Sequence, residues 1–440
     1  MIFSKSGKLL GIMMGIVGLV VVGVFVVPLL LGPYTETPTT ITPPIINSTI
    51  TPIITSENVF TTSYQGDIGS KINQANAACG STACHIIVNE NGGISTQVIL
   101  SENRVLEFGA YTYDVNATIN LSNNDELKGQ GSNTIFLRNG NWYAGKEADI
   151  RTDPPSDFNS IVYAYMIKVN GADRVTIRDL SIDGNSNQIG HVPIEECDPT
   201  CTGLIYNYPK ARFCEIFISS SSNVIMDSIH LYNLNNGAIA TKGTTDLTIS
   251  NNEIELDGWN ISPPIWTGQQ PNNVDIKIIN NYIHNASHEA IFLSSVSGGI
   301  VEGNRILHNR QNTFWRASGG TLYTHFDVHD VMIVNNTIAD SGFVPVDKIK
   351  NGIQPFVGHG LEMHGYNLQI LGNTIINNSG DGIRIKNNDR WNEPPAHDIT
   401  IKGNLIQGND KGYMGARDVP IYYEAGVDKS TILSEGNIVS

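Results

Sequence analysis

Two short stretches hold most of the residues that could do chemistry together. Residues 358–365 read GHGLEMHG and residues 380–386 read GDGIRIK, which puts His359, Glu362, His364, Asp381, Arg384 and Lys386 within 29 residues. Imidazoles and carboxylates move protons, and Arg and Lys grip anionic groups. FDVHD at 326–330 adds Asp327 and His329, and SHEAIF at 287–292 adds Glu289. Acid–base cleavage of a glycosidic bond with inversion needs two carboxyls roughly 6.5–9.5 Å apart. The plain alternative is that these are turns of a repeat whose solvent face carries polar residues.

The elements that must position them are repeated strands. From residue 170 onward one phrase recurs: an apolar pair, Asn or Gly, Asn, any residue, Ile. It appears as ISNNEI (249–254), INNYI (279–283), VEGNRI (301–306), VNNTI (334–338), LGNTI (371–375), IKGNLI (401–406) and SEGNI (434–438). A recurring unit of short apolar strands is the signature of a solenoid, in which each unit buries its apolar side on its neighbours. Asn tolerates left-handed backbone angles, and its amide can bond the equivalent amide one coil away.

A second strand registers on Gly-rich turns: EIFIS (215–219), AIATK (238–242), PIWTG (264–268), AIFLS (290–294), TLYTH (321–325), GLEMH (360–364), GIRIK (382–386) and PIYYE (420–424). Alternation along a strand predicts an inward column running from Ile216 to Ile421. The neighbouring outward column reads Phe217, Ala240, Trp266, Phe292, Tyr323, Glu362, Arg384 and Tyr422. Two residues on, a further outward column reads Ser219, Lys242, Gly268, Ser294, His325, His364, Lys386 and Glu424. Column neighbours should lie ~4.8 Å apart. The glycines and aliphatics of the opening stretches therefore belong to the repeat, and their outward polar residues are the candidate chemistry. Trp266, Phe292 and Tyr323 leading into Glu362, Arg384, His325, His364 and Lys386 read as a sugar-binding groove over residues 264–386. An aromatic ladder that only stabilises the sheet is the simpler reading.

This pattern resembles the right-handed parallel β-helix of the pectin-lyase-like superfamily over residues 60–440. QGDIGSKINQANAAC (65–79) looks like the helix that caps such a solenoid, and residues 104–139 are similar to its first coils. Within the superfamily, Gly358-His359-Gly360-Leu361 and Arg384-Ile385-Lys386 resemble polygalacturonases. That resemblance implies a catalytic role for His359 and binding of a substrate carboxylate by Arg384 and Lys386. The family's Asp pair falls on Gly319 and Gly320 in this register, and its remaining Asp position falls on Glu289. Asp381 and Glu362 are the other candidate carboxylates, but Glu289 and Asp381 should stand on the order of 14 Å apart, three coils along the stack. FDVHD also looks like the Asp-Pro-His-Asp/Glu signature of alginate epimerases, with Val328 in place of Pro and Thr324 where the family has Tyr. It implies proton abstraction at a sugar C5 by Asp327, His329 and Tyr323, with Arg384 and Lys386 neutralising the acid.

Composition sets the surroundings. Charged residues make up 16% of 440, below the ~25% of ordinary soluble domains; Gly numbers 43 and Asn 47. A net charge of −15 argues against nucleic acid. It also repels acidic polysaccharides unless Ca²⁺ bridges the two or a basic patch exists.

Lys5 and Lys8 precede an uncharged apolar run, Leu9–Leu31, whose 23 residues can span a hydrocarbon core of ~30 Å. It reads as a signal anchor, or else a removed signal peptide, with the rest of the chain outside. The Thr/Pro-rich stretch 33–56 cannot build a core and reads as a stalk. Seven Asn-x-Ser/Thr sequons, among them Asn116, Asn285 and Asn335, are compatible with export. Cys79 and Cys84 are spaced to pair. Cys197, Cys201 and Cys214 near His191 suit a disulfide plus one thiol, or else zinc.

The expected protein is all-β. It has an anchor or signal at 1–31, a stalk at 32–58 and a parallel β-helix at 59–440 that binds, and cleaves or epimerises, extracellular polysaccharide. The rival expectation is a non-catalytic structural or adhesive surface protein.

Overall fold

The computed structural model describes residues 57–139, 162–186, 211–234, 237–255, 263–268, 272–286, 289–309, 319–342, 358–387, 395–409 and 419–440. The expected anchor 9–31, nearly all of the stalk, His191, Cys197 and Cys201 lie outside the described residues. Among the described residues no helix is long and apolar enough to cross a membrane.

Pro52–Ser440 forms one compact unit of strands that pair in parallel with the strand one coil away. The stack that matters here comprises β1 (Ala211–Ser219), β2 (Gly237–Lys242), β3 (Ile265–Thr267), β4 (Ile291–Glu302), β5 (Gly319–Val334), β6 (Gly358–Met363), β7 (Ile383–Ile385) and β8 (Ile421–Tyr423). Its register places Ile216, Ile239, Ile265, Ile291, Leu322, Leu361, Ile383 and Ile421 opposite one another in turn. This is the inward column expected from alternation. From Ile216 to Ile383 each member is fully buried in one continuous aliphatic core, so the apolar area removed from water grows with every coil added.

The Asn phrase divides two tasks between adjacent residues. The first residue, Asn251, Asn280, Gly303, Asn335, Gly372, Gly403 or Gly436, takes a φ of 54–66° to turn the corner. Asn and Gly are the residues that occupy this left-handed region at low cost. The second is an Asn whose side-chain oxygen accepts from the backbone N–H of the Asn one coil earlier. The distances run from 2.8 to 3.0 Å along Asn252, Asn281, Asn304, Asn336, Asn373, Asn404 and Asn437. The ladder satisfies buried corner groups that would otherwise each cost about 1–3 kcal/mol.

At the other end, helix α1 (Ile68–Ala78) starts at Asp67, whose carboxylate accepts from the N–H groups of Gly69 and Ser70. Its Ile68, Ile72 and Ala75 join the same core. Cys79 and Cys84 are disulfide-bonded across the loop that follows, with Cα atoms 5.9 Å apart. Arg104, fully buried, donates to the carbonyls of Gly80 and Thr82 and to Asn76 Oδ1, tying that loop and α1 to the strands. Cys214 is a free, buried thiol.

Candidate functional site

Strands β4 to β8 carry the candidate residues outward at a common level. Register pairs Phe292 with Tyr323, Tyr323 with Glu362, Glu362 with Arg384, and Arg384 with Tyr422, as alternation predicted. Two threonines fix the backbone of β6 on which the site is built. Thr321 Oγ1 donates to the carbonyl of His359 at 3.0 Å, and Thr324 Oγ1 bonds both the carbonyl and the N–H of His364 at 2.7 and 2.8 Å. Thr324 is therefore a buried brace where an epimerase would place Tyr. The glycines are steric necessities. A Cβ on Gly320 would sit 2.4 Å from the backbone N of Glu362, and one on Gly360 2.3 Å from Ile375 Cγ2.

Glu362 is the centre of the cluster. It is 1% exposed although it points away from the core. Lys386 Nζ lies 3.2 Å and His364 Nε2 3.5 Å from its Oε1; His359 Nε2 and Arg384 Nη1 each lie 3.9 Å from its Oε2. Burial pushes its carboxyl up, but the contact with His364, the adjoining His359 ring and the charge of Lys386 outweigh burial and hold it at about 2. Glu362 is therefore an anion near neutral pH. Burial also lowers His364, against the pull of Glu362, and lowers His325, beside His364 and Lys386, to about 3.

His359 stands between this anion and a second carboxylate. Its Nδ1 lies 3.2 Å from Asp381 Oδ2 and 2.8 Å from the Asp381 backbone N–H, while Arg384 Nη1 lies 2.9 Å from its Nε2. The Asp381 backbone N–H donates to Nδ1, so that nitrogen carries no proton and the ring has no net charge. Glu362 and Asp381 flank the His359 ring, 3.9 Å from its Nε2 and 3.2 Å from its Nδ1, and are the carboxylates that the structure groups here. Glu289 is also buried, but it precedes β4, with Gly320 and His359 at the same level in the two coils between it and Asp381. The sequence already set Glu289 and Asp381 too far apart to pair and offered Glu362 instead; that Glu362 and Asp381 flank one imidazole needed the tertiary structure.

The structure separates FDVHD from this cluster. β5 bends at Phe326, whose φ is 59°, and Val328 turns inward to the core. Asp327 and His329 lie past the bend. His329 stacks on Tyr366 at 4.8 Å, and Tyr366 on His397 at 5.0 Å; His329 Nδ1 pairs with Asp330 at 2.7 Å. Asp327 and His329 thus belong to a different face from Glu362, and the epimerase-like grouping with Arg384 and Lys386 is not formed.

The aromatic run is present and graded in exposure. Trp266 and Phe292 stack at 6.4 Å with planes 6° apart, and Phe292 and Tyr323 at 4.9 Å and 20°. Trp266 is only 5% exposed and packs with Tyr165, Cys214, Phe217 and Ala240, so its ring face is covered. Phe292, Tyr323 and His325 are half-buried and border the cluster. Tyr323 and His325 each approach His364, at ring distances of 5.4 and 5.0 Å.

Two residues of the site were visible in the columns but not chosen as functional. Glu424 Oε1 lies 3.6 Å from Arg384 Nη2, and the Arg384 guanidinium carbon lies 5.5 Å from the Tyr422 ring centre. Their column positions, directly after Arg384 and Lys386, were the available signal. Among the described residues no group of three or more His, Cys, Asp or Glu is arranged to hold a metal ion.

The chain belongs to the right-handed β-helix family: the family described as "Right handed beta helix region" matches residues 165–338 and 272–433. No curated protein is similar to it in sequence. Its fold is similar to that of the GH136 lacto-N-biosidase from Eubacterium ramulus, with a TM-score of 0.52 at 11% identity, over 87% of this chain and 67% of that one. The hyperthermoactive exopolygalacturonase from Thermotoga maritima gives 0.49 at 12% identity over 88% of this chain and 92% of that one. At these identities the likeness concerns the fold.

Proposed function

We propose that this right-handed β-helix binds an extracellular polysaccharide across β4–β8. Phe292, Tyr323 and His325 border one side of the Glu362 cluster, and Lys386, Tyr422 and Glu424 the other. The observation that carries the reading is the buried charge network itself. Removing Glu362, Asp381, Arg384 and Lys386 from water is expensive, and aliphatic side chains would stack the coils as well or better. Rings beside fixed donors and acceptors suit a sugar, whose C–H faces pack on aromatics while its hydroxyls exchange hydrogen bonds.

The catalytic form of this proposal uses the Glu362–His359–Asp381 cluster as the proton-moving group for hydrolysis, elimination or epimerisation. The non-catalytic form, a structural or adhesive surface protein, is favoured by one observation. Gly320 has no room for a side chain, so the coil position where polygalacturonases seat their Asp pair, Gly319 and Gly320, holds no carboxyl.

Screening the full-length protein against a glycan array, with and without Ca²⁺, tests the binding reading, which fails if no glycan is retained. H359A separates the two forms: retained binding with lost product release supports catalysis. A wild type that binds without ever altering its glycan supports adhesion.

The location is part of the proposal. We read Leu9–Leu31 as an anchor that leaves the β-helix outside, supported by Lys5 and Lys8 before it and by the Cys79–Cys84 disulfide. The protein should stay with the membrane through a carbonate wash. A soluble mature form starting near residue 32 would refute the anchor.

A further inference from the structure

Resting on the glycan reading above, we propose that the Glu362 site selects uncharged sugars, its two cations being committed to the protein's own carboxylates. The resemblance to polygalacturonases implies the opposite, with Arg384 and Lys386 gripping a substrate acid. In the structure neither cation is unmatched. Lys386 Nζ pairs with Glu362 Oε1 at 3.2 Å. Arg384 lies 3.9 Å from Glu362 Oε2 and 3.6 Å from Glu424 Oε1, and its Nη1 is also 2.9 Å from His359 Nε2.

Counting formal charges decides the sign. Glu362, Asp381 and Glu424 supply three negative charges, and Arg384 and Lys386 two positive ones. The histidines do not change the balance. His359 accepts the Asp381 backbone N–H at Nδ1 and is uncharged, while His325 and His364 are buried beside Lys386, which opposes a further positive charge. A uronate entering here meets a net negative site on a chain whose overall charge is −15. It would have to displace Glu362 or Glu424 from their partners to gain a contact. Leaving a desolvated carboxylate unpaired is the costly case. A neutral sugar demands no such exchange. Its hydroxyls can donate to Glu424 and accept from Lys386, the two rim groups with the greatest side-chain exposure in the cluster, 31% and 21%.

The test compares matched polymers on the full-length protein: galactan with galacturonan, mannan with mannuronan, and glucan with glucuronan. The expected result is retention of a neutral polymer and no retention of its uronate. A uronate held as tightly as its neutral counterpart overturns the inference and leaves the glycan reading standing. Retention of none of the six overturns both. Glu362→Gln and Glu424→Gln each release a cation, so uronate affinity should rise by about tenfold or more while neutral binding changes less. Glu424 is at the rim, so E424Q keeps the test open if E362Q does not fold. Unchanged uronate affinity in a folded variant of either kind argues against the inference.

Discussion

The outward column has two halves on one backbone. From Phe217 to Tyr323 it is aromatic or Ala, and from Glu362 to Tyr422 it is charged and then aromatic. Register and spacing continue from one half to the other. The first half resolves its burial by stacking: Phe217, Ala240 and Trp266 form a small apolar layer outside the main core. The second half resolves it by pairing charges around Glu362. The inward aliphatic column already supplies the stability of each coil, so the outward column is free to be a packing layer in one place and a site a few coils away. Coil geometry therefore says where a site can be, and only side-chain chemistry says whether it is one.

The largest effect should come from attacking what both halves share. Leu361→Asp buries an unpaired charge in the common core, at several kcal/mol. Circular dichroism should show loss of β signal at room temperature. A stable, folded L361D would contradict the continuous core.

Trp266→Ala and Phe292→Ala sharpen the boundary between the halves. Trp266 is covered, so its truncation should cost about 3–5 kcal/mol of stability, read by denaturant unfolding. Phe292 is half-buried at the edge of the site. Its truncation should cost less stability and more glycan affinity. The reverse pattern would move the site toward Trp266.

Gly320→Ala tests the boundary from below. The added Cβ would press on the Glu362 backbone, for a cost of about 1–3 kcal/mol. Crystallography or chemical shifts should show β6 displaced at Glu362. An unshifted β6 would mean that Gly320 is not what sets the position of Glu362.

The smallest effect is the charged half's own contribution to the pH dependence. Glu362 has a folded value near 2 against 4.5 unfolded, and His325 one near 3 against 6.5. Both are depressed, so each contributes stability that is fully present above the unfolded value. That stability is lost as pH falls through the window toward the folded value. The stability these two groups add, read from the melting temperature, should fall from about pH 6.5 downward, with Glu362 adding to the loss below about 4.5, against an opposing gain from Asp125, whose buried carboxyl is raised to about 7. His325→Gln should flatten the upper part of that window. An unchanged profile would mean that His325 is charged in the fold.

Much of this was legible in the sequence because a solenoid makes long-range contacts predictable from short-range pattern. Aligning Ile291, Leu322 and Leu361 by their Gly-rich turns was enough to name their neighbours, since each strand pairs with its equivalent one coil away. The ladder from Asn252 to Asn437 was equally legible, although the division of labour with the preceding Asn or Gly was not. Other features depend on distances that no local pattern contains. FDVHD was grouped with Tyr323, Arg384 and Lys386, and the bend at Phe326 moved His329 onto another face beside Tyr366 and His397. Trp266 was read as an open platform, and packing against Tyr165 and Phe217 covered it.

Sequence by itself determined the coil, its register, and which side chains point outward together. It could do so because alternation and repeat length are properties of the chain. Tertiary structure alone decided that Glu362 is buried and ionised, that His359 stands between it and Asp381, and that Arg384 and Lys386 are occupied by Glu362 and Glu424. Those facts rest on side-chain direction and on the loss of water around paired charges. Both depend on what stands a few ångströms away in space, in coils up to about forty residues distant along the chain.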